Sequence, residues 1–228
     1  MDAYKLAYMP MPKAACSSVK EVLARLDPAV TVPDPERDGV FTWHRIYATK
    51  RFRMKRWIGL EDYFRFCVVR DPVKRLLSVY TNRVVQLREL HNSPRLRENP
   101  GHLVLDPDPD FFFQNIDAYR GKASTIKHHA LPAHIFLGPD LDMYSRVYRV
   151  EDLTALAWDL SLWTRQDIAM PRSNQSDIRL TLDDLQDKTI DALRPFLDAE
   201  YSFLSGFYEN PLGARYHRAC AIPERRVS

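Results

Sequence analysis

The run FRFCVV at Phe64–Val69 passes almost directly into Asp71-Pro72, and this junction constrains the fold more than any other stretch of the chain. Six residues rich in aromatic and β-branched side chains predict a strand buried on both faces. Asp71 is a suitable N-cap, and Pro72 suits the first helical position because its φ is already set. Val73, Leu76, Leu77, Tyr80, Val84 and Leu87 then form one apolar stripe, which predicts a helix running to about Leu90. A buried strand feeding a helix is the repeating unit of a parallel sheet.

Similar units recur on either side. Lys5 to Met9 predicts a short strand, closed by Pro10-Met11-Pro12. Ser17 or Ser18 can cap a helix whose apolar positions are Val19, Val22, Leu23 and Leu26. Asp27 to Gly39 reads as a loop, Val40 to Tyr47 as a second short strand, and Met143 to Val150 as a further one. A helix follows with Leu153, Leu156, Leu160 and Trp163 inward, and Thr181 with Asp184 resembles a capping box opening a last long helix. Asn92 to Asp110 is polar and carries prolines, and reads as a surface excursion. The alternation predicts an α/β fold: a single domain over residues 1–228, with a central parallel sheet flanked by helices.

Composition narrows the function. With 33 basic and 30 acidic side chains the net charge is only +3, so a general nucleic-acid binder is not expected and any basic site must be local. No stretch approaches the roughly 18–20 apolar residues that span a bilayer, although contact with a membrane surface stays open. The start, Met1 to Lys5, has no signal-peptide pattern. The three cysteines, Cys16, Cys67 and Cys220, lack metal-ligand spacing and read as reduced thiols. A cytoplasmic protein is the simplest expectation; an enzyme trimmed of a membrane anchor would look the same. Oligomeric state is not legible.

Unusual polar content gathers at two strand-to-helix junctions. At Pro12-Lys13-Ala14-Ala15-Cys16-Ser17-Ser18 a loop of small residues enters a helix N-terminus, where free N–H groups and the helix dipole favour an anion. Lys13 adds a point charge, and Ser17 and Ser18 add hydroxyls. The phosphate-loop signature G-x-x-x-x-G-K-S/T is absent. At the second junction Arg70 ends the strong strand, at the edge where open α/β sheets bind ligands. Arg75, Ser78 and Asn82 follow at helical spacing on the face away from the apolar stripe, a guanidinium and a hydroxyl suited to a phosphate monoester.

Together, PKAACSS at Pro12 to Ser18 and RDPVKRLLSVY at Arg70 to Tyr80 resemble the sulfotransferase superfamily. The likeness is closest to the carbohydrate sulfotransferases of the chondroitin, dermatan and HNK-1 type, with P-K-x-x-C-S/T-N/S and R-D-P-x-x-R-x-x-S-x-Y motifs. His129-Ala-Leu-Pro132, Tyr148 to Leu153 and the aromatic stretch Tyr201 to Tyr208 are similar in placement. The resemblance implies a P-loop-like nucleotide-binding fold. It implies 3′-phosphoadenosine 5′-phosphosulfate as co-substrate, its 3′,5′-bisphosphate as product, no metal, and a glycan or small-molecule hydroxyl as acceptor. Lys13 would stabilise the leaving phosphate; Ala15, Cys16, Ser17 and Ser18 would cradle the 5′-phosphate; Arg70 and Ser78 would clamp the 3′-phosphate. Arg172, in Arg172-Ser-Asn-Gln-Ser176, resembles the family's loop over the nucleotide.

An acceptor hydroxyl needs a base: His44, at the end of the expected second strand, is the leading candidate, and His129, in its His-x-x-Pro stretch, is the rival. His128, His129 and His134 lack the cysteine or paired carboxylate that would complete a metal site. Arg45, Lys50, Arg51, Arg53, Lys55 and Arg56, interleaved with Tyr47, Phe52 and Trp57, suit an anionic or sugar acceptor or simply a solvated face. Two alternatives remain open: a nucleotide or sugar kinase-like P-loop enzyme, and a non-catalytic binder of an anionic glycan. A kinase would need a Walker lysine pattern and a carboxylate pair for Mg²⁺, neither of which is evident.

Overall fold

The computed structural model describes residues 1–34, 37, 42–171 and 178–213. Three parallel strands form one sheet in the order β1 (Leu6–Met9), β2 (Phe64–Val69), β3 (Arg146–Arg149), with helices on both faces. The strongest strand of the sequence is therefore the central one. Leu6 pairs with Phe64 and Met9 with Cys67, while Phe66 pairs with Arg146 and Val69 with Arg149. Alternation of side chains divides β2 between two cores. Phe66 and Val68 pack with Val19, Leu23, Leu156 and Leu160, whereas Cys67 and Val69 pack with Met11, Trp57, Phe136 and Leu204. A third, helical core joins Leu76, Leu77 and Tyr80 to Phe112, Tyr119, Ile190 and Leu197.

Local chemistry explains the junctions. Asp71 Oδ1 accepts the Lys74 N–H at 2.9 Å, and Pro72 opens the Pro72–Val79 helix. That helix does not continue regularly to Leu90. It passes into a π-helical segment, Tyr80–Gln86, in which the Leu87 N–H reaches back five residues to the Asn82 carbonyl at 2.9 Å. Such widened turns are frequent at functional sites.

Several expectations are corrected. Within Val40 to Tyr47, the described residues form a helix, Thr42–Ile46, because Thr42 and Trp43 bury themselves beside the Cys16–Leu26 helix instead of joining the sheet. The stretch Asn92 to Asp110 does run over the surface, with most of its residues exposed, and it is anchored where Leu96 and Leu103 enter the helical core and the Tyr80 hydroxyl donates to the Pro107 carbonyl. Trp163 is 48% exposed, since Leu156, Leu160 and Thr164 form the inward stripe at spacings of four. Its indole N–H donates to the Tyr4 carbonyl instead. The Thr181–Asp184 capping box is present but closes only the single turn Leu182–Asp184; the long helix, Asp187–Phe203, starts afterwards.

Candidate active site

The loop between β1 and the Cys16–Leu26 helix is pinned from below by Met11 and Ala14, both fully buried. Lys13 and Ala15 take left-handed backbone conformations, with φ of 67° and 51°. For residues bearing a Cβ this costs roughly 1–2 kcal/mol each, and such strain collects at functional sites. Ala15 occupies the N-cap and has no side chain to fold over the helix end. The first N–H groups of the helix, beginning with Cys16 and Ser17, therefore have no partner within it.

Arg70 continues β2 into the same space, and its Nη1 donates to the Lys13 carbonyl at 3.0 Å. Lys13 Nζ donates to Asn82 Oδ1 at 2.7 Å. The π-helical segment turns Asn82, Arg83 and Gln86 together toward a cleft of about 460 Å³, which Lys13, Ala15, Cys16, Ser17, Ser18, Arg70, His44, His128 and His129 also line. Burial, assisted by the charges of Arg83 and Arg70, pushes the Lys13 ammonium down to about 7. Burial likewise lowers Arg70. Arg83 pairs with Glu89 at 2.8 Å, both largely buried.

The two candidate bases differ in their hydrogen bonds. His44 Nε2 lies 2.9 Å from Ser17 Oγ and its Nδ1 lies 3.1 Å from Lys20 Nζ. Burial first, then the Lys20, Arg83 and His128 charges, pushes its ring down to about 4. His129 Nδ1 lies 2.9 Å from the Thr125 carbonyl, which can only accept. Nδ1 therefore carries the proton and Nε2 keeps the lone pair. Burial, followed by the Arg83 charge, pushes this ring down to about 2.

Lys13, Ala15, Cys16, Ser17, Ser18, Arg70, His44 and His129 thus share one cleft. Ser78 does not line it; its hydroxyl donates to the Arg75 carbonyl at 2.7 Å. Arg75 is a correction, because it is not on a free face. Its side chain is 1% exposed, is paired with Glu200 at 2.8 Å, and donates to the Leu131 carbonyl at 2.9 Å. A buried carboxylate and two loop carbonyls already occupy its fork, so it supports the His129 loop and does not face the cleft. Arg172 lies outside the described residues. Lys20 and Arg83 were not singled out by sequence. Lys20 follows Ser17 by three residues and so leans back toward the helix N-terminus; this spacing was the available signal. Arg83 reaches the cleft through the π turn, which the sequence does not announce. Most of the basic run from Arg45 to Arg56 is exposed, starting from the cleft rim at Ala48 and Thr49.

Among the described residues no group of three or more His, Cys, Asp or Glu side chains is placed to hold a metal ion, and no helix is long and apolar enough to cross a membrane. Residues 1–198 match the family model described as the sulfotransferase family. The chain is 30% identical to carbohydrate sulfotransferase 14 of Homo sapiens over 179 residues, which covers 72% of this chain and 45% of that protein. The Mus musculus protein of the same name is 29% identical over the same length and coverage. The chain thus spans less than half the length of these curated relatives. No solved structure matches it.

Proposed function

Since the chain belongs to the sulfotransferase family, we propose that it transfers a sulfuryl group from 3′-phosphoadenosine 5′-phosphosulfate to a hydroxyl of a carbohydrate, with residues 1–228 acting as one domain. The supporting observation is the convergence of Lys13, Arg70, Arg83 and the uncapped helix start on one cleft. With Lys13 in its ammonium form, these are donors without acceptor capacity, the wall that a polyanion requires. The family origin of the relatives, which are carbohydrate sulfotransferases by name, supports the acceptor class.

The co-substrate supplies a sulfuryl group attached to a phosphate leaving group. The helix start, with Ser17 and Ser18, holds the 5′-phosphate. Arg70 and Arg83 hold the 3′-phosphate, joined by Ser78 once its hydroxyl leaves the Arg75 carbonyl. Lys13 meets charge as it develops on the leaving oxygen, by analogy with phosphoryl transfer. His129 takes the acceptor proton at Nε2 while the acceptor oxygen forms its bond to sulfur and the sulfur–phosphate oxygen bond breaks. Arg83, His128 and Lys13 charges contribute to the low basicity of His129 in the free protein; a bound polyanion offsets them and raises the ring toward its working range. The exposed cations Lys50, Arg51 and Arg53, next to the cleft rim, receive an acidic acceptor.

Thermal unfolding tests the assignment. Without added metal, 3′-phosphoadenosine 5′-phosphate is expected to raise Tm by mass action, and more than adenosine 5′-phosphate or ATP does. Equal stabilisation by adenosine 5′-phosphate would contradict the two-phosphate site.

A further inference from the structure

Lys20 sits one turn into the Cys16–Leu26 helix and is fully buried. Among the described residues its polar partners are neutral: Nζ donates to Thr49 Oγ1 at 2.6 Å and lies 3.1 Å from His44 Nδ1. A buried ammonium without a carboxylate is costly and calls for a compensating role. An ammonium has three donors and no acceptor, so its contact with His44 requires Nδ1 to accept. The ring proton is then on Nε2, which lies 2.9 Å from Ser17 Oγ and donates to it. With that lone pair filled, the Ser17 hydroxyl directs its own hydrogen elsewhere. Thr49, accepting from Lys20 directly, is in the same position, and both residues line the cleft.

We propose that Lys20 is a positioning residue that commits the Ser17 and Thr49 hydroxyls as hydrogen-bond donors to an oxyanion bound in the cleft. Each donor in the series polarises the next: Lys20 to His44, His44 to Ser17, Ser17 to the anion. His44 is then a donor relay and not the base, since neither ring nitrogen offers a lone pair while Lys20 is charged. Only the identity of the anion, the 5′-phosphate, rests on the sulfotransfer proposal. The donor series itself applies to any oxyanion of the same size.

Nitrogen-15 NMR of histidine in the full chain near neutral pH reads the tautomer without any ligand. His44 is expected with its proton on Nε2; a proton on Nδ1 would overturn the proposal. Lys20→Met fills the same space without donors, and its affinity for inorganic pyrophosphate is expected to fall roughly tenfold or more, the scale of one charge-assisted hydrogen bond. The His44 tautomers should then mix. Lys20→Gln, which keeps a neutral donor, should restore the tautomer and part of the affinity. Ser17→Ala and Thr49→Val should each weaken pyrophosphate several-fold, which tests the proposal even if Lys20→Met fails to fold. Unchanged pyrophosphate affinity in folded Lys20→Met, or in both hydroxyl variants, would overturn it. Pyrophosphate binding that responds to Lys20 while the adenosine bisphosphate does not bind would leave the donor series standing and reject the nucleotide assignment.

Discussion

The Arg75 guanidinium meets the Glu200 carboxylate at 2.8 Å, with side chains only 1% and 2% exposed, and together they fasten the backbone between His129 and Ala133. Glu200 accepts the Ala133 N–H at 2.9 Å while Arg75 donates to the Leu131 carbonyl, so this pair ties the Pro72–Val79 helix, the Asp187–Phe203 helix and the histidine loop into one unit. Removing one partner strands the other charge in the interior, at a cost of about 3–5 kcal/mol. Arg75→Ala is accordingly expected to unfold at much lower urea than the parent, and Arg75→Lys to rescue it poorly because the forked geometry is lost. Arg75→Ala with normal stability and selectively lost bisphosphate binding would return Arg75 to the anion site.

If Lys13 holds the nucleotide as proposed, binding depends on pH. Its ammonium is held near 7 in the free protein against an ordinary value of 10.5, so it is only partly charged at neutral pH. A bound polyanion favours the ammonium. Bisphosphate binding should therefore take up protons and weaken as pH rises above about 7, and Lys13→Met should flatten this dependence. Calorimetry in buffers of differing ionisation enthalpy measures the uptake; no proton uptake by the parent between pH 7 and 9 would contradict the account.

The histidines act on stability in the acid range. Both His44 and His129 are held below their ordinary 6.5, at about 4 and about 2. The unfolded chain then binds more protons than the folded one, and the slope of stability with pH is positive. Their contribution is complete above about 6.5 and is lost as pH falls through 4 for His44 and toward 2 for His129. Urea unfolding at successive pH values should show this decline, and His44→Gln should remove its upper part. A profile unchanged by His44→Gln would contradict the burial assigned to that ring.

The first strand-to-helix junction, the central strand and the Asp71-Pro72 helix start were legible because each is local: β propensity, a cap and a ring-fixed φ speak for themselves. Thr42–Ile46 was not. Five residues carry too little periodicity, and a contact with the Cys16–Leu26 helix decided the outcome. Arg75 misled because spacing shows which residues share a face but not what covers that face. Its partner, Glu200, is 125 residues away. Lys20 was hidden for the complementary reason, as a cation beside an apolar stripe normally reaches water, whereas here His44 and Thr49 enclose it.

Transfer of labelled sulfate from 3′-phosphoadenosine 5′-phosphosulfate to a panel of glycans is the most direct measurement. The parent chain should label at least one glycan hydroxyl. Lys13→Met should lower the rate about 10²- to 10³-fold, as for loss of a donor aimed at developing charge, and His129→Ala by about 10²- to 10⁴-fold, with bisphosphate binding nearly intact in His129→Ala. Tight bisphosphate binding with no labelled glycan, or transfer undiminished in both variants, would contradict the account.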